Sequence, residues 1–142
     1  MVDVSGKRAT LRTATAEALV RMGQRARIAL TNATLPKGDA FVTAQIAGIM
    51  AAKRTAELVP LTHQLPLTGV DVSFEWRGDV LRVRAEARTA AQTGVEIEAM
   101  LAASIAALTI YDMTKSLERG VVIESVALLH KSGGKSGTWR AP

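Results

Sequence analysis

The stretch that decides the fold lies in the middle of the chain, where residues 69–89 read GVDVSFEWRGDVLRVRAEART. Apolar and polar residues alternate along both halves of this stretch, and such alternation is typical of a strand with one buried face. Between the halves stands Arg77-Gly78-Asp79, which has the composition of a turn. The sequence therefore predicts a β-hairpin.

Helical patterns flank this hairpin. Upstream, Asp39 suits an N-cap position, and a helix is predicted from about Ala40 to Leu58. Downstream, a helix is predicted from about 95 to 117, with a capping-box pattern in Thr93-Gly94-Val95-Glu96 and a stop at Gly120. The apolar stripe of the upstream helix is predicted to consist of Val42, Ile46, Ile49 and Met50, and its small residues, which allow close packing, are Ala44, Ala47, Gly48, Ala51 and Ala52.

Strands are predicted at both outer ends. Residues 9–22 tolerate a helix by their Ala content, but their Thr-rich alternation favours a strand, with a short helical turn around 25–30 after it. Residues 121–129 form the last strand. The order strand, helix, strand, strand, helix, strand predicts an α+β, ferredoxin-like (split β-α-β) antiparallel sheet with the helices on one face. We expect one domain over 1–142, with 131–142 as a flexible Gly/Lys-rich tail.

Composition narrows the function. The net charge of +5 and the pI of about 10.1 favour an anionic partner, which leaves nucleic acid, an acidic membrane surface or a phosphate-bearing small molecule. The absence of cysteine excludes thiolate chemistry, and with only two histidines no metal site is expected. Neither a signal peptide nor an apolar run of about 18 residues is visible, so a cytoplasmic protein is expected.

The lysines lie in segments with special patterns. In Gly133-Gly134-Lys135-Ser136 a P-loop would need a glycine at Leu129, so that motif fails. Lys131 and Lys135 then belong either to a cationic flap over phosphate or to a solvated tail. Lys37 lies just before the start of a helix, where it either contributes to a phosphate-binding site or is an exposed loop lysine. Lys53 either points toward a ligand or extends along the surface.

Candidate acid–base groups lie at both ends of the downstream helix. Asp112 and Lys115 share the face of an apolar stripe, as an acid–base pair or as a structural ion pair. Glu96 and Glu98 point in opposite directions on a regular helix. We therefore expect them to share a pocket only if the first turn frays or a second subunit takes part. His63, held between two prolines, is either aimed at a ligand or structural.

Four blocks of sequence together resemble the cyclic pyranopterin monophosphate synthase family, also called the molybdenum cofactor biosynthesis protein C family. They cover nearly the whole chain and keep the order of the family. The blocks are MVDVS at 1–5, KGD at 37–39 running into IAGIMAAKRT at 46–55, TGVEIEA at 93–99 running into AALTIYDM at 106–113, and KSGGKSG at 131–137.

The resemblance implies a lyase that converts a 3′,8-cyclo-7,8-dihydroguanosine triphosphate into cyclic pyranopterin monophosphate and pyrophosphate. It implies a ferredoxin-like fold, a hexamer built as a trimer of dimers with sites at subunit interfaces, and no cofactor. By the match of motifs, the catalytic residues are Asp112, Lys115 and Lys37, and the substrate-binding residues are Leu61, Thr62, His63, Glu96, Ile97, Glu98, Lys53, Lys131 and Lys135.

Four positions depart from the pattern of the family. Thr62 and Thr114 stand where cysteines are frequent, Gln64 replaces a proline, and Gln92 replaces a lysine, so one cation is missing. Chains of the family usually begin upstream of Met1 with a short extra segment. The rival hypothesis is an RNA-binding split β-α-β module, which would need aromatic residues on the central strands.

Overall fold

The computed structural model describes all residues from Met1 to Pro142. Five strands and four helices follow one another along the chain. They are β1 (Thr10–Arg21), α1 (Gln24–Thr31), α2 (Ala40–Lys53), α3 (Thr55–Leu58), β2 (Leu67–Arg77), β3 (Val80–Ala91), α4 (Glu96–Thr114), β4 (Val122–Ser132) and β5 (Trp139–Arg140).

The sheet has the order β2-β3-β1-β4-β5, and all neighbouring strands are antiparallel. Strand β3 lies between β1 and β2, and β1 lies between β3 and β4, so each helical crossover skips one strand. This is the connectivity of a split β-α-β arrangement. The predicted α+β class is confirmed, and so is the hairpin that turns at Gly78.

The core lies between one face of the sheet and the helix layer. The alternate residues Ala14, Ala16, Ala18 and Val20 of β1 are fully buried, as are Leu81 and Val83 of β3. Helix α4 covers them with a face made mostly of alanine. It packs on β1, β3 and β4, while α2 packs on α4 and β2. By length and composition α4 could cross a membrane, but half of its apolar window is buried in this core.

Of the predicted apolar stripe of α2, only Ile49 packs against the core. Val42, Ile46 and Met50 are about half exposed, and the buried face consists of Ala40, Ala44, Gly48, Ala51 and Ala52. A Cβ atom on Gly48 would lie 2.8 Å from the carbonyl oxygen of Ala102 on α4. Because the two helix backbones approach so closely, only small side chains fit between them, and Val42, Ile46 and Met50 point outward.

Several boundaries also differ from the prediction. The upstream helix breaks at Arg54, and α4 ends at Thr114 rather than near 117. The capping box is absent, since the N-cap of α4 is Val95 and no side chain caps it. By contrast, Asp39 caps α2 as expected, because its carboxylate accepts a hydrogen bond of 3.1 Å from the Val42 amide.

The C-terminal region is more regular than its composition indicated. Strand β4 continues to Ser132, and the chain then turns back so that β5 pairs with His130 and Lys131. Part of the segment predicted as a loop therefore adds a fifth strand. Pairing of β5 with β4 satisfies backbone hydrogen-bonding groups of both strands. The Gly-rich composition of this segment did not predict a strand. The flexibility of 131–142 stays a prediction.

Candidate active site

A cluster of three charged side chains lies at the C-terminal end of α4. Asp112 accepts an ion-paired contact of 2.6 Å from Lys115 and another of 2.5 Å from Lys37. The Lys37 ammonium also donates to the Asp112 carbonyl oxygen at 3.3 Å. Lys37 comes from the loop before α2, so the close packing of α2 on α4 brings the three predicted catalytic residues together.

The two ammonium groups control the ionisation of this cluster. Hydrogen bonds from Lys115 and then from Lys37 hold the pKa of Asp112 at about 2. The same contact with Asp112 raises the pKa of Lys115. At neutral pH the cluster is therefore one carboxylate between two ammonium ions, with a net positive charge. All three side chains are about half exposed, so a ligand can reach them.

A cleft of about 510 Å³ lies at the opposite end of α4. It is formed by the first turn of this helix, the loop before β2 and the N-terminal segment of the chain. We call it the carboxyl cleft. It contains all the predicted substrate-binding residues other than lysines, namely Leu61, Thr62, His63, Glu96, Ile97 and Glu98.

Glu96 and Glu98 line the same cleft within one chain, so the second subunit, one of the two ways expected to bring them together, is not needed for this. Glu96 is the first helical residue, and its carboxylate folds back so closely over Gly94 that an added Cβ would overlap it at 1.9 Å. Glu98 is only 3% exposed. Burial raises its pKa to about 7, although a hydrogen bond from its own backbone amide opposes the rise and the charge of Glu96 adds to it.

A larger groove of about 880 Å³ adjoins the carboxyl cleft. We call it the cationic groove because five basic side chains line it: Lys7, Arg8, Arg12, Lys131 and Lys135. The two cavities share Lys7, Thr93, Gly94 and Glu96, so they form one continuous surface. Such an arrangement of ammonium and guanidinium groups suits a polyanion of the phosphate type.

The sequence prediction missed Lys7, Arg8 and Arg12. Arg12 donates to the carbonyl oxygens of Ala91 and Gln92, both at 3.2 Å, and thereby holds its guanidinium at the groove. Its place on β1 beside the end of β3 could have been inferred only from the strand register. Gln92 itself lines the groove, so three cations that were not predicted surround the position where a lysine is missing.

The hairpin between β4 and β5 closes one side of the cationic groove. Gly133 and Gly134 both have positive φ values, and added Cβ atoms would lie 2.1 Å from the Leu11 carbonyl oxygen and 2.0 Å from the Arg12 guanidinium. Only glycine allows this approach to β1. Within the hairpin, Lys131 contacts the Ser136 hydroxyl.

Lys53 does not join either cavity. It lies on the rim of a separate cleft of about 330 Å³ between α2 and the start of β2, which shares Leu65 with the carboxyl cleft. Within one chain, Lys53 therefore lies near the carboxyl cleft but lines neither that cleft nor the cationic groove. No group of three or more His, Cys, Asp or Glu side chains is arranged to hold a metal ion.

The fold is that of an α+β protein, and its cavities form a basic groove, of a kind that suits a phosphate-type polyanion, which continues into a carboxyl-lined cleft. Residues 1–134 match the model of the MoaC family, and the chain belongs to that family. It is 49% identical over 139 residues to cyclic pyranopterin monophosphate synthase 2 of Mycobacterium bovis and of two strains of Mycobacterium tuberculosis. The match covers 98% of this chain and 83% of each relative. The resemblance stated from the sequence is confirmed.

Proposed function

We propose that the chain is a lyase of molybdenum cofactor biosynthesis that converts 3′,8-cyclo-7,8-dihydroguanosine triphosphate into cyclic pyranopterin monophosphate and pyrophosphate. Membership in the MoaC family and the name of the relatives support this activity. The single observation that carries it in the structure is the continuity of the cationic groove with the carboxyl cleft. One ligand with a triphosphate and a nitrogen-rich ring matches both parts.

Each part of the surface has a distinct task in this proposal. Lys131, Lys135 and Arg12 bind the triphosphate and stabilise charge on the departing pyrophosphate. Glu96 and Glu98 bind the N–H groups of the purine-derived ring, because carboxyl oxygens accept from such donors. His63 faces the same cleft and orients the ligand.

Asp112 and Lys115 move protons while the ring opens and is rebuilt. The ion pair keeps Asp112 as a carboxylate and Lys115 as an ammonium. In the resting site Asp112 is therefore the proton acceptor and Lys115 the donor. Lys37 holds the carboxylate on its other side and supplies a further positive charge next to a phosphate oxygen.

The two parts of the site are too far apart to act on one ligand within a single chain. Glu96 and Asp112 lie at opposite ends of α4, about 24 Å apart along its axis at about 1.5 Å per residue. Reacting atoms must come within about 3–3.5 Å of the groups that act on them. Each active site therefore combines the carboxyl cleft of one subunit with the Asp112 cluster of another.

An apolar surface on the outer side of the helix layer is available for this assembly. Val42, Ile46 and Met50 of α2 are 48–53% exposed, and Leu108 of α4 lies on the same layer at 51%. Packing two such surfaces about a two-fold axis would place the ends of α4 in opposite order, which brings each cleft to the Asp112 cluster of the partner. The proposed assembly is a dimer of this kind within a hexamer.

The RNA-binding alternative has little support. The open faces of the central strands β1 and β3 present Thr15, Glu17, Arg82 and Arg84, whereas Phe74 and Trp76 of the edge strand β2 pack against the core. Base stacking has no aromatic platform on the central strands. The proposed setting is the cytoplasm, with neither a nucleic acid nor a membrane as partner.

Turnover of the cyclised GTP derivative tests the proposal. Purified protein should release pyrophosphate and the pterin product in equal amounts, both detected after chromatographic separation. Binding of the substrate without either product would overturn the assignment as a lyase. A sample containing Lys115→Ala protein serves as the control for a contaminating enzyme.

A further inference from the structure

A second polar cleft lies on the open face of the sheet, on the side opposite to the helices and the cationic groove. Its volume is about 600 Å³, and it forms where β5 returns along β4. The last two residues, Ala141 and Pro142, form its rim. The side chains that matter for its chemistry are Thr13, Thr15, Arg82, Arg84, Glu86, His130 and Arg140.

Strand register explains how these side chains converge. Thr15 pairs with Glu86 on one side and with His130 on the other, and His130 pairs with Arg140. Directly paired residues of antiparallel strands point to the same face of a sheet. Lys131, the next residue along β4, points to the other face and lines the cationic groove. The two cavities are thus separated by the sheet itself.

The positive charge of the cleft is only partly balanced. Arg82 is held by Glu17 at 2.6 Å and by Glu75 at 3.3 Å, so it forms part of the cleft floor. Arg84 is 46% exposed, and its carboxylate contact is Glu86 at 3.6 Å. Arg140 makes no ion pair with any carboxylate within 4.0 Å. Two guanidinium groups therefore face one carboxylate.

The hydroxyl of Thr15 gives a second, independent indication of a ligand. Thr15 is only 4% exposed, and its hydroxyl makes no hydrogen bond within the chain, whereas the neighbouring Thr13 hydroxyl bonds to Ser132 at 2.5 Å. The hydroxyl is not closed off from solvent, since no fully buried side-chain polar atom lacks a partner. Because Thr15 lines the cleft, its hydroxyl is available there to a ligand.

From this geometry we infer that the open-face cleft binds a phosphate-type oxyanion, as a site separate from the cationic groove. Arg84 and Arg140 match phosphate oxygens through charge-assisted hydrogen bonds, and the Thr15 hydroxyl supplies a further donor. His130 lies beside the anion. The site does not depend on the proposed lyase activity. Its ligand is inorganic phosphate or the phosphate group of a monoester.

His130 lines the open-face cleft and His63 lines the carboxyl cleft on the other side of the sheet, and this allows a direct test. Protein labelled with ¹³C at the histidine ring is titrated with inorganic phosphate or with glycerol 3-phosphate at constant pH and ionic strength. The two ring signals are assigned with His130→Asn protein. The His130 signal should shift in a saturable way, while the His63 signal reports any binding in the carboxyl cleft.

Removal of one guanidinium should raise the anion concentration that half-saturates the His130 shift by about tenfold, as expected for the loss of one charge-assisted hydrogen bond. Arg84→Ala and Arg140→Ala are the test variants, and Arg77→Ala, an exposed arginine of β2 outside the cleft, is the matched control. Stronger binding of the monoester than of phosphate would identify a monoester as the ligand. A His130 signal that does not move with either anion would overturn the inference, and so would a His130 shift that saturates at the same anion concentration in wild-type, Arg84→Ala and Arg140→Ala protein.

Discussion

The two ends of helix α4 carry acidic side chains whose pKa values are shifted in opposite directions. At the N-terminal end, burial raises the pKa of Glu98 to about 7. At the C-terminal end, hydrogen bonds from Lys115 and Lys37 lower the pKa of Asp112 to about 2. Desolvation decides the first case and neighbouring charge the second. One helix thus offers a carboxyl group that exchanges a proton near neutral pH and a carboxylate that stays charged.

The largest effect is expected at the C-terminal end of α4. Asp112→Asn and Lys115→Ala should each lower kcat by about 10²–10⁴-fold, since each removes a group that transfers a proton. Both side chains are about half exposed, so the melting temperature should change little. Steady-state kinetics and thermal unfolding measure the two quantities. Arg119→Ala, in the loop that follows α4, is the control, and near-normal turnover of either test variant would contradict the assignment.

At the N-terminal end the expected effect is on stability. The pKa of Glu98 in the folded protein, about 7, lies above its ordinary value of 4.5, so the folded state binds more protons between these pH values. The free energy of unfolding should therefore fall as pH rises from 4.5 to 7, by at most about 3 kcal/mol, and then remain level.

Glu98→Gln should remove this decrease, and urea unfolding at several pH values and a fixed protein concentration measures it. Glu57→Gln, an exposed carboxylate on another helix, controls for the change of charge. If wild-type and Glu98→Gln proteins show the same slope between pH 4.5 and 7, burial does not control the ionisation of Glu98.

A smaller effect is expected at the hairpin that closes the cationic groove. Gly133→Ala would place a Cβ atom against the Leu11 carbonyl oxygen and displace the hairpin from β1. We expect KM for the triphosphate substrate to rise about tenfold, as for the loss of one charged contact, with a smaller change in kcat. Gly137→Ala is the matched control, because Gly137 also has a positive φ but has open space around it. Equal KM values for the two variants would show that the close approach is unimportant.

The sequence predicted the order of the elements well and the faces of the helices poorly. The hairpin at Gly78 and the Asp39 cap depend on local chemistry, which neighbouring residues specify. The outward direction of Val42, Ile46 and Met50 depends on how closely α2 approaches α4. This distance is set by Gly48 of α2 together with the alanines of both helices. Hydrophobicity alone would place these three large side chains in the core, whereas they are about half exposed.

In the candidate site, too, residues in local motifs were predicted and residues that depend on contacts between distant parts of the chain were missed. Local motifs and the family resemblance gave the residues Asp112, Lys115, Lys37, His63 and Glu98. Lys7, Arg8 and Arg12 were missed. Arg12 reaches the groove through pairing of β1 with β3, which joins residues that are far apart in the chain, and Lys7 and Arg8 lie in the segment just before β1. The shared cleft of Glu96 and Glu98 depends on an uncapped helix start, which the apparent capping box concealed.

The most direct test of the central claim is to combine two inactive variants in one assembly. Lys115→Ala protein lacks a proton-transfer group and Glu98→Gln protein lacks a substrate-binding carboxylate, so each is expected to be nearly inactive alone. The two proteins are unfolded, mixed in equal amounts and refolded, and mixed assemblies are verified by native mass spectrometry. If the two ends of α4 from different subunits form one active site, random pairing leaves about a quarter of the sites intact, and about a quarter of the wild-type activity should return. Mixed assemblies without activity would contradict a site shared between subunits.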